Sequence, residues 1–196
     1  MYKNKLLLAS FIAITFCWAC SDSKKGNENN ILADLKMPVK ADIVGAITDG
    51  TTMNMLEVVD ANGDTTSIEI GNDRFFGDKD TGDSVVVSYI TIDNELISST
   101  IININNLQHT WAMEPDEKGT TKYMEIDPKG FVHVFVNRKE DPKYEKWKLE
   151  DGILLLIPPA DSINSVKTDS LEIVSLNADT MTVKKNNKKI KLSRYN

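Results

Sequence analysis

Cysteine and histidine are scarce in this chain, with two of each among 196 residues. A structural zinc site takes about four such ligands in short, regular spacings, so the composition excludes a His/Cys metal cluster of the usual kind. The sequence also lacks the GxSxG and HExxH motifs of known hydrolases. We therefore expect a protein that is not an enzyme and that holds neither a metal nor another cofactor.

The sequence has no apolar run of about 20 residues, the length that a helix needs to span a bilayer. The apolar run at residues 6–16 is shorter, and Lys3 and Lys5 precede it. A positive start followed by a short apolar stretch is typical of a secretory signal peptide. We therefore expect residues 1–19 to direct export.

The signal ends at Ala19-Cys20, which resembles the lipobox of bacterial lipoproteins, although Cys17 stands where that family usually has leucine. The resemblance implies cleavage before Cys20, diacylglycerol on its thiol and a fatty acid such as palmitate on its amine. There are two alternatives to lipidation: a redox pair formed by Cys17 and Cys20, or simple signal cleavage that leaves a free thiol. Residues 20–36 are expected to form a flexible polar tether, because residues 21–30 contain no apolar side chain.

Positive charge is sparse in the first half of the chain. Residues 38–105 contain twelve acidic and three basic side chains, whereas the second half is nearly neutral and its end, residues 184–194, is basic. A general nucleic-acid binder needs clustered positive charge, so we expect no nucleic-acid partner. These acidic side chains either lie at solvent-exposed turns or form an interaction surface.

Beyond residue 36 the pattern is almost entirely that of β-strands separated by turn residues. Residues 37–105 predict five strands with one long connection before the fourth, which is typical of a small Greek-key barrel of OB type. Residues 106–196 predict eight short strands in up-and-down order, which favours a closed meander barrel. The expected fold class is all-β, with an acidic OB-like domain followed by a small eight-stranded meander barrel.

Several stretches carry strand and turn signatures in a shared order. They are TMNML at 52–56, GDTTS at 63–67, GDSVVV at 82–87, Trp111, WKLEDGILL at 147–155, DSLEI at 169–173 and DTMTV at 179–183. Together they resemble lipocalin-like bacterial lipoproteins. The architecture is also similar to the NlpE lipoproteins of Gram-negative outer membranes, in which the barrel comes first. The NlpE barrel has a CxxC motif linked to copper, and no such motif follows Cys20 here, so the resemblance implies no copper role.

The second barrel could hold an apolar ligand or be filled by its own side chains, because strands this short enclose little space. If a pocket exists, the expected lining is Met124, Phe131, Phe135, Trp147 and Leu155. The stretch 131–136 is apolar on both faces apart from His133. One face must therefore pack against the first domain or a partner, and His133 is expected to be a half-buried structural residue.

Two clusters of acidic side chains are considered as calcium sites. Asp60, Asn62 and Asp64 resemble the start of a calcium-binding loop, but Thr65 and Gly71 stand where an EF-hand has Gly and Glu, so a hairpin is favoured. The second group is Asp78, Asp80 and Asp83, for which a weak calcium site is the alternative to a solvated loop. On the same loop, Phe75-Phe76 are expected either to plug the first barrel or to form an exposed contact.

These features predict a cell-envelope lipoprotein held by a lipid at Cys20, with the outer membrane favoured over the inner. Its expected role is binding, either of a small apolar molecule in the barrel or of a protein partner. The alternative is a non-enzymatic envelope-stress or assembly protein that acts through protein contacts of the acidic domain and has a side-chain-filled barrel. A third possibility is a structural subunit of a larger surface complex.

Overall fold

The structure is a computed structural model that describes residues 39–71, 74–160 and 167–195, with side chains from residue 41 onward. These residues lie in a compact unit that runs from Met37 to Asn196. The predicted signal peptide, the lipidated Cys20 and the tether lie outside the described residues and stay predictions.

The first sheet contains six strands, which lie between residues 39 and 103 of the chain. They are β1 (Val39–Ile47), β2 (Met55–Val59), β3 (Thr65–Glu69), β4 (Phe75–Phe76), β5 (Ser84–Ile92) and β6 (Glu95–Asn103). Strand β1 pairs antiparallel with both β2 and β5, and β3 pairs parallel with β6. Five strands thus close into a barrel with the crossed order expected of an OB-type Greek key, and β4 is a short addition beside β6.

Local turn chemistry explains two of these hairpins. Asp93 and Asn94 have φ angles of 50° and 69°, and Gly63 has 88°, so each turn places residues in the left-handed region that Asn, Asp and Gly tolerate best. The barrel interior is filled by seven side chains with at most 2% exposure. They are Ile47, Leu56, Val58, Ile68, Val85, Val87 and Ile101.

A single helical turn, α1 (Ile104–Leu107), connects the two sheets, and the side chain of Asn103 accepts a hydrogen bond from the backbone N–H of Asn106 at its start. The predicted domain boundary between residues 105 and 106 lies inside this turn and stays a prediction. The second sheet follows with nine strands. They are β7 (Thr110–Met113), β8 (Lys122–Ile126), β9 (Val132–Val136), β10 (Lys139–Asp141), β11 (Lys146–Glu150), β12 (Ile153–Ile157), β13 (Asp169–Leu176), β14 (Thr180–Lys185) and β15 (Lys188–Arg194).

The second sheet is a meander that curls into a half-barrel. Its first strand β7 pairs with its last strand β15, which leaves β10 and β11 as the two edges. The extra strand β10 arises from a tight turn at Asn137 and Arg138, with φ angles of 51° and 66°. It ends before Pro142, whose backbone has no N–H for a ladder.

The meander barrel expected from the sequence is confirmed as a curled half-barrel of nine strands rather than eight. In the described backbone, an isolated bridge links Lys146 of β11 to Phe131, the residue before β9.

The two sheets share a core at their junction. Phe76 and Ile102 come from the first sheet, yet they belong to the buried cluster that fills the half-barrel. The backbone N–H of Gly77 donates to the carbonyl of Leu176 at 3.0 Å. Phe75, one residue earlier, packs against the first core. Because adjacent strand residues point to opposite faces, Phe75 contributes to the first core and Phe76 to the core of the half-barrel. The expectation that this pair plugs the first barrel is therefore right for Phe75 only.

Candidate functional site

The half-barrel contains a cavity of about 140 Å³. Its lining is apolar except at one end. The lining residues are Met113, Met124, Val134, Tyr144, Leu156, Asp169, Leu171, Val183, Lys185, Ile190 and Leu192. A cavity of about 150 Å³ with an aliphatic and aromatic lining is large enough for benzene, so this space can accept a small apolar group.

Strand register explains the apolar lining. Paired residues in neighbouring strands point to the same face, and Trp111, Met124 and Val134 are paired across β7, β8 and β9. Met113 pairs with Leu192 on the other side of β7. Because the alternate positions of these strands are apolar, their inner faces form a continuous hydrophobic surface. Trp111 is buried in the same core, and its indole N–H donates to the Leu107 carbonyl at 2.9 Å.

A polar cluster lies at the end of the cavity where β13 begins and β14 ends. The Oδ2 atom of Asp169 accepts hydrogen bonds from the Tyr144 hydroxyl and from the Lys185 ammonium, and Lys143 Nζ lies 3.4 Å away. Partial burial opposes ionisation of Asp169, but the hydrogen bond and charge of Lys185 and the charge of Lys143 outweigh it and lower the pKa of this carboxyl. Asp169 is thus held as a carboxylate at neutral pH.

Of the five lining residues predicted from sequence, Met124 lines the cavity. Trp147 packs against the same core, and its indole N–H donates to the Asp127 carbonyl at 2.9 Å. Phe131 directly precedes β9 and bridges to Lys146 of β11. Phe135 and Leu155 alternate with the inward Val134 and with Leu154 and Leu156, so they lie on the outer face. A ligand-binding role for all five stays a prediction.

Sequence reasoning missed Tyr144, Asp169 and Lys185. The period-two pattern carried a signal for two of them, because Lys185 is two positions after Val183 and Asp169 two positions before Leu171. Both charged residues therefore share the inward parity of the core. Tyr144 follows the β10 strand that was not expected, so no such pattern pointed to it.

His133 lies on the outer face of β9, where its Nδ1 is 2.8 Å from Glu140 Oε1. Its side chain is 41% exposed, as the half-buried structural expectation requires. The hydrogen bond and the negative charge of Glu140 raise the pKa of His133 above its usual value.

Both acidic groups considered for calcium are engaged in local hydrogen bonds. Asp60 Oδ1 accepts the backbone N–H groups of Asn62 and Asp64 at 2.8 and 3.0 Å, which confirms the hairpin. Those bonds lower the pKa of Asp60. Asp83 Oδ2 accepts from Asn103 Nδ2 at 2.6 Å, and the N–H of Asp78 donates to Asn106. Among the residues the structure describes, no group of three or more His, Cys, Asp or Glu is placed to hold a metal ion.

A second, larger space lies on the first barrel, a cleft of about 420 Å³. Its described lining includes Arg74, Lys79, Ser98 and Ser99. The hydroxyls of both serines already bond the barrel's own backbone, at Gly71 and Ser88. Lys79 lies over the Phe75 ring at 4.7 Å. The cleft therefore offers fewer free polar groups than its size suggests, and the half-barrel cavity is the better candidate site.

Comparison with known proteins bears on the half-barrel. Residues 103–195 match a protein-family model described as lipocalin-like. No curated protein and no solved structure matches the chain. The similarity to NlpE lipoproteins stays a prediction. Within the described ranges, no helix is long and apolar enough to cross a membrane.

Proposed function

We propose that the half-barrel binds a small apolar ligand in its cavity, because residues 103–195 match a family model described as lipocalin-like. The fold is typically one of non-enzymatic binding proteins, and we propose that this chain is not an enzyme. The observation that carries the proposal is the cavity of about 140 Å³ with its apolar wall. Moving an apolar molecule from water into such a space is favourable by about 25 cal/mol for each Å² buried.

A cavity-filling variant tests this proposal. Val134→Phe places a ring against the lining, whereas Val44→Phe puts the same ring on the first barrel, where Val44 is 58% exposed. We expect 1-hexanol to bind the unmodified chain and the Val44 variant, and to lose at least about tenfold in affinity for the Val134 variant, because the space is taken. Isothermal titration calorimetry measures the affinity, and ligand-induced thermal stabilisation checks it. Equal binding to all three proteins would reject the cavity as the site.

We also propose that the protein is a lipid-anchored envelope lipoprotein, with the outer membrane favoured. The support is the export-signal pattern of residues 1–19 and the small residue before Cys20. More than one acyl chain is needed for stable anchoring, and lipoprotein processing supplies several.

Substitution of the anchor residue is the direct test. Cys20→Ser is expected to release the protein from the membrane fraction, since position 20 then has no thiol to carry the lipid. Cys17→Ser is the control, because it leaves the modified position intact. Radiolabelled palmitate should enter the control and not the Cys20 variant. A Cys20→Ser protein that remains in the membrane fraction would refute the lipid anchor.

A second candidate function is partner binding by the first barrel, without nucleic acid. Four of the exposed large apolar side chains lie there, among many exposed acids; they are Val44, Met53, Met55 and Ile92. Apolar groups in a polar surround are typical of protein interaction sites. If this surface binds an envelope protein, Met53→Ser with Met55→Ser should weaken co-purification of that partner, whereas the cavity variant Val134→Phe should not.

A further inference from the structure

The cavity-facing side of the half-barrel carries excess positive charge at one end. Strand pairing places Lys122 opposite Met113, and Lys188 opposite Lys185; Met113 and Lys185 both line the cavity. Lys139 and Asp141 share this face through β9. With Lys143, the described residues give five lysines at this end, against Asp141, Asp169 and Asp116, the last of which interacts with the charge of Lys122. A neutral apolar ligand would make no use of this charge.

The cluster around Asp169 shows how the excess charge meets the apolar wall. Lys143 and Lys185 both converge on one carboxylate oxygen, so the group has a net positive charge. Each ammonium has three N–H donors and uses one of them on Asp169. The Lys185 side chain is 33% exposed, and a partly buried ammonium interacts more strongly with an anion than one in open water.

The apolar wall begins directly beside these donors. Lys185 and Asp169 line the same cavity as Leu171 and Val183, which are 6% and 1% exposed. A molecule with its apolar part against these side chains would therefore have its other end within reach of the two ammonium groups. The size of the cavity limits the apolar part to about one ring or a short chain.

We propose that the ligand is a small amphipathic anion, with its apolar part in the cavity and a carboxylate head bound by Lys185 and Lys143 beside Asp169. This inference rests on the proposed ligand-binding function and specifies the chemistry of its ligand. Asp169 stays in place beside the bound head group, because each ammonium retains further donors. Charge-assisted hydrogen bonds from two ammoniums give the carboxylate its advantage over a hydroxyl head.

Three probes with the same chain and different heads test the proposal. Hexanoate, 1-hexanol and hexylammonium are titrated into the full folded chain by calorimetry. We expect hexanoate to bind about tenfold more tightly than hexanol, and hexylammonium more weakly than both. Lys185→Gln should remove the preference for hexanoate over hexanol. Lys189→Gln is the matched control, because Lys189 lies on the outward face of the same hairpin, opposite Lys184.

Two further variants keep the test decisive. Lys143→Gln, at a side chain that is 44% exposed, should also reduce hexanoate affinity if Lys185→Gln fails to fold. Asp169→Asn should raise hexanoate affinity by removing the competing carboxylate. Equal affinity for hexanoate and hexanol, unchanged in Lys185→Gln, would refute the anionic ligand and leave the apolar site standing. Absence of binding for all three probes would instead refute the proposed function itself.

Discussion

The two histidines lie in opposite surroundings. His109 is partly buried at the start of the half-barrel, and that burial, together with the charge of Arg194, lowers its pKa below the usual value. His133 is bonded to Glu140, which raises its pKa. A histidine whose pKa is raised by folding stabilises the fold fully at pH values below its unfolded pKa of about 6.5. That stabilisation is lost as the pH rises through the folded pKa. Because the His133 pair is largely exposed, its effect on stability is small.

The histidine prediction concerns titration rather than stability. Proton NMR of the imidazole rings should give an apparent pKa below 6.5 for His109 and above 6.5 for His133. Glu140→Gln should lower the pKa of His133, because it removes the charge that favours the protonated ring, and should leave His109 unchanged. Two histidines that titrate together in both proteins would contradict the described surroundings.

At the scale of elements, turn signals determined the strand boundaries well. Gly77 shows what they could not determine. Its φ angle is +102°, and a Cβ at this position would lie 2.5 Å from the Cβ of Asn103. Gly82 has a similar φ of +93° with no atom within 4 Å of such a Cβ. The two glycines look alike in sequence, but only Gly77 lies against another element.

Matched substitutions separate backbone strain from crowding. Gly82→Ala should reduce the free energy of unfolding by about 1 kcal/mol, the cost of placing a side chain at positive φ. Gly77→Ala should cost about 2 kcal/mol more, because Asn103 or the backbone must move. Urea denaturation of both variants measures the difference. Equal losses would show that the approach to Asn103 is relaxed in solution.

At the scale of the whole molecule, the junction of the two sheets determines how the chain unfolds. Phe76 is 9% exposed in the half-barrel core although it belongs to the first sheet. Ile102 of β6, which is also in the first sheet, belongs to the same half-barrel core. Because residues of the first sheet complete the core of the half-barrel, we expect the two sheets to unfold in one cooperative transition.

Truncation of Phe76 tests this cooperativity. Phe76→Ala should lower the free energy of unfolding by about 3–5 kcal/mol through lost burial and a residual cavity. The shift should be equal by tryptophan fluorescence, to which Trp111 and Trp147 of the half-barrel contribute, and by far-ultraviolet circular dichroism of both sheets. Phe75→Ala is the matched control for the first core, and it should move both signals together as well. Separate midpoints for the two signals would show that the sheets unfold independently.

The sequence by itself determined the all-β class, the OB-type order of the first barrel and most strand boundaries. These follow from local rules, namely period-two alternation and residues such as Asn62-Gly63 and Asp93-Asn94 that tolerate positive φ. Only the tertiary structure decided which face of an apolar strand points inward. In β9 and β12 both faces are apolar, so the pattern could not place Phe135 and Leu155 on the outside. The open edge at β10, the sharing of Phe76 between sheets and the lysines beside Asp169 depend on contacts between distant segments, which no local pattern specifies.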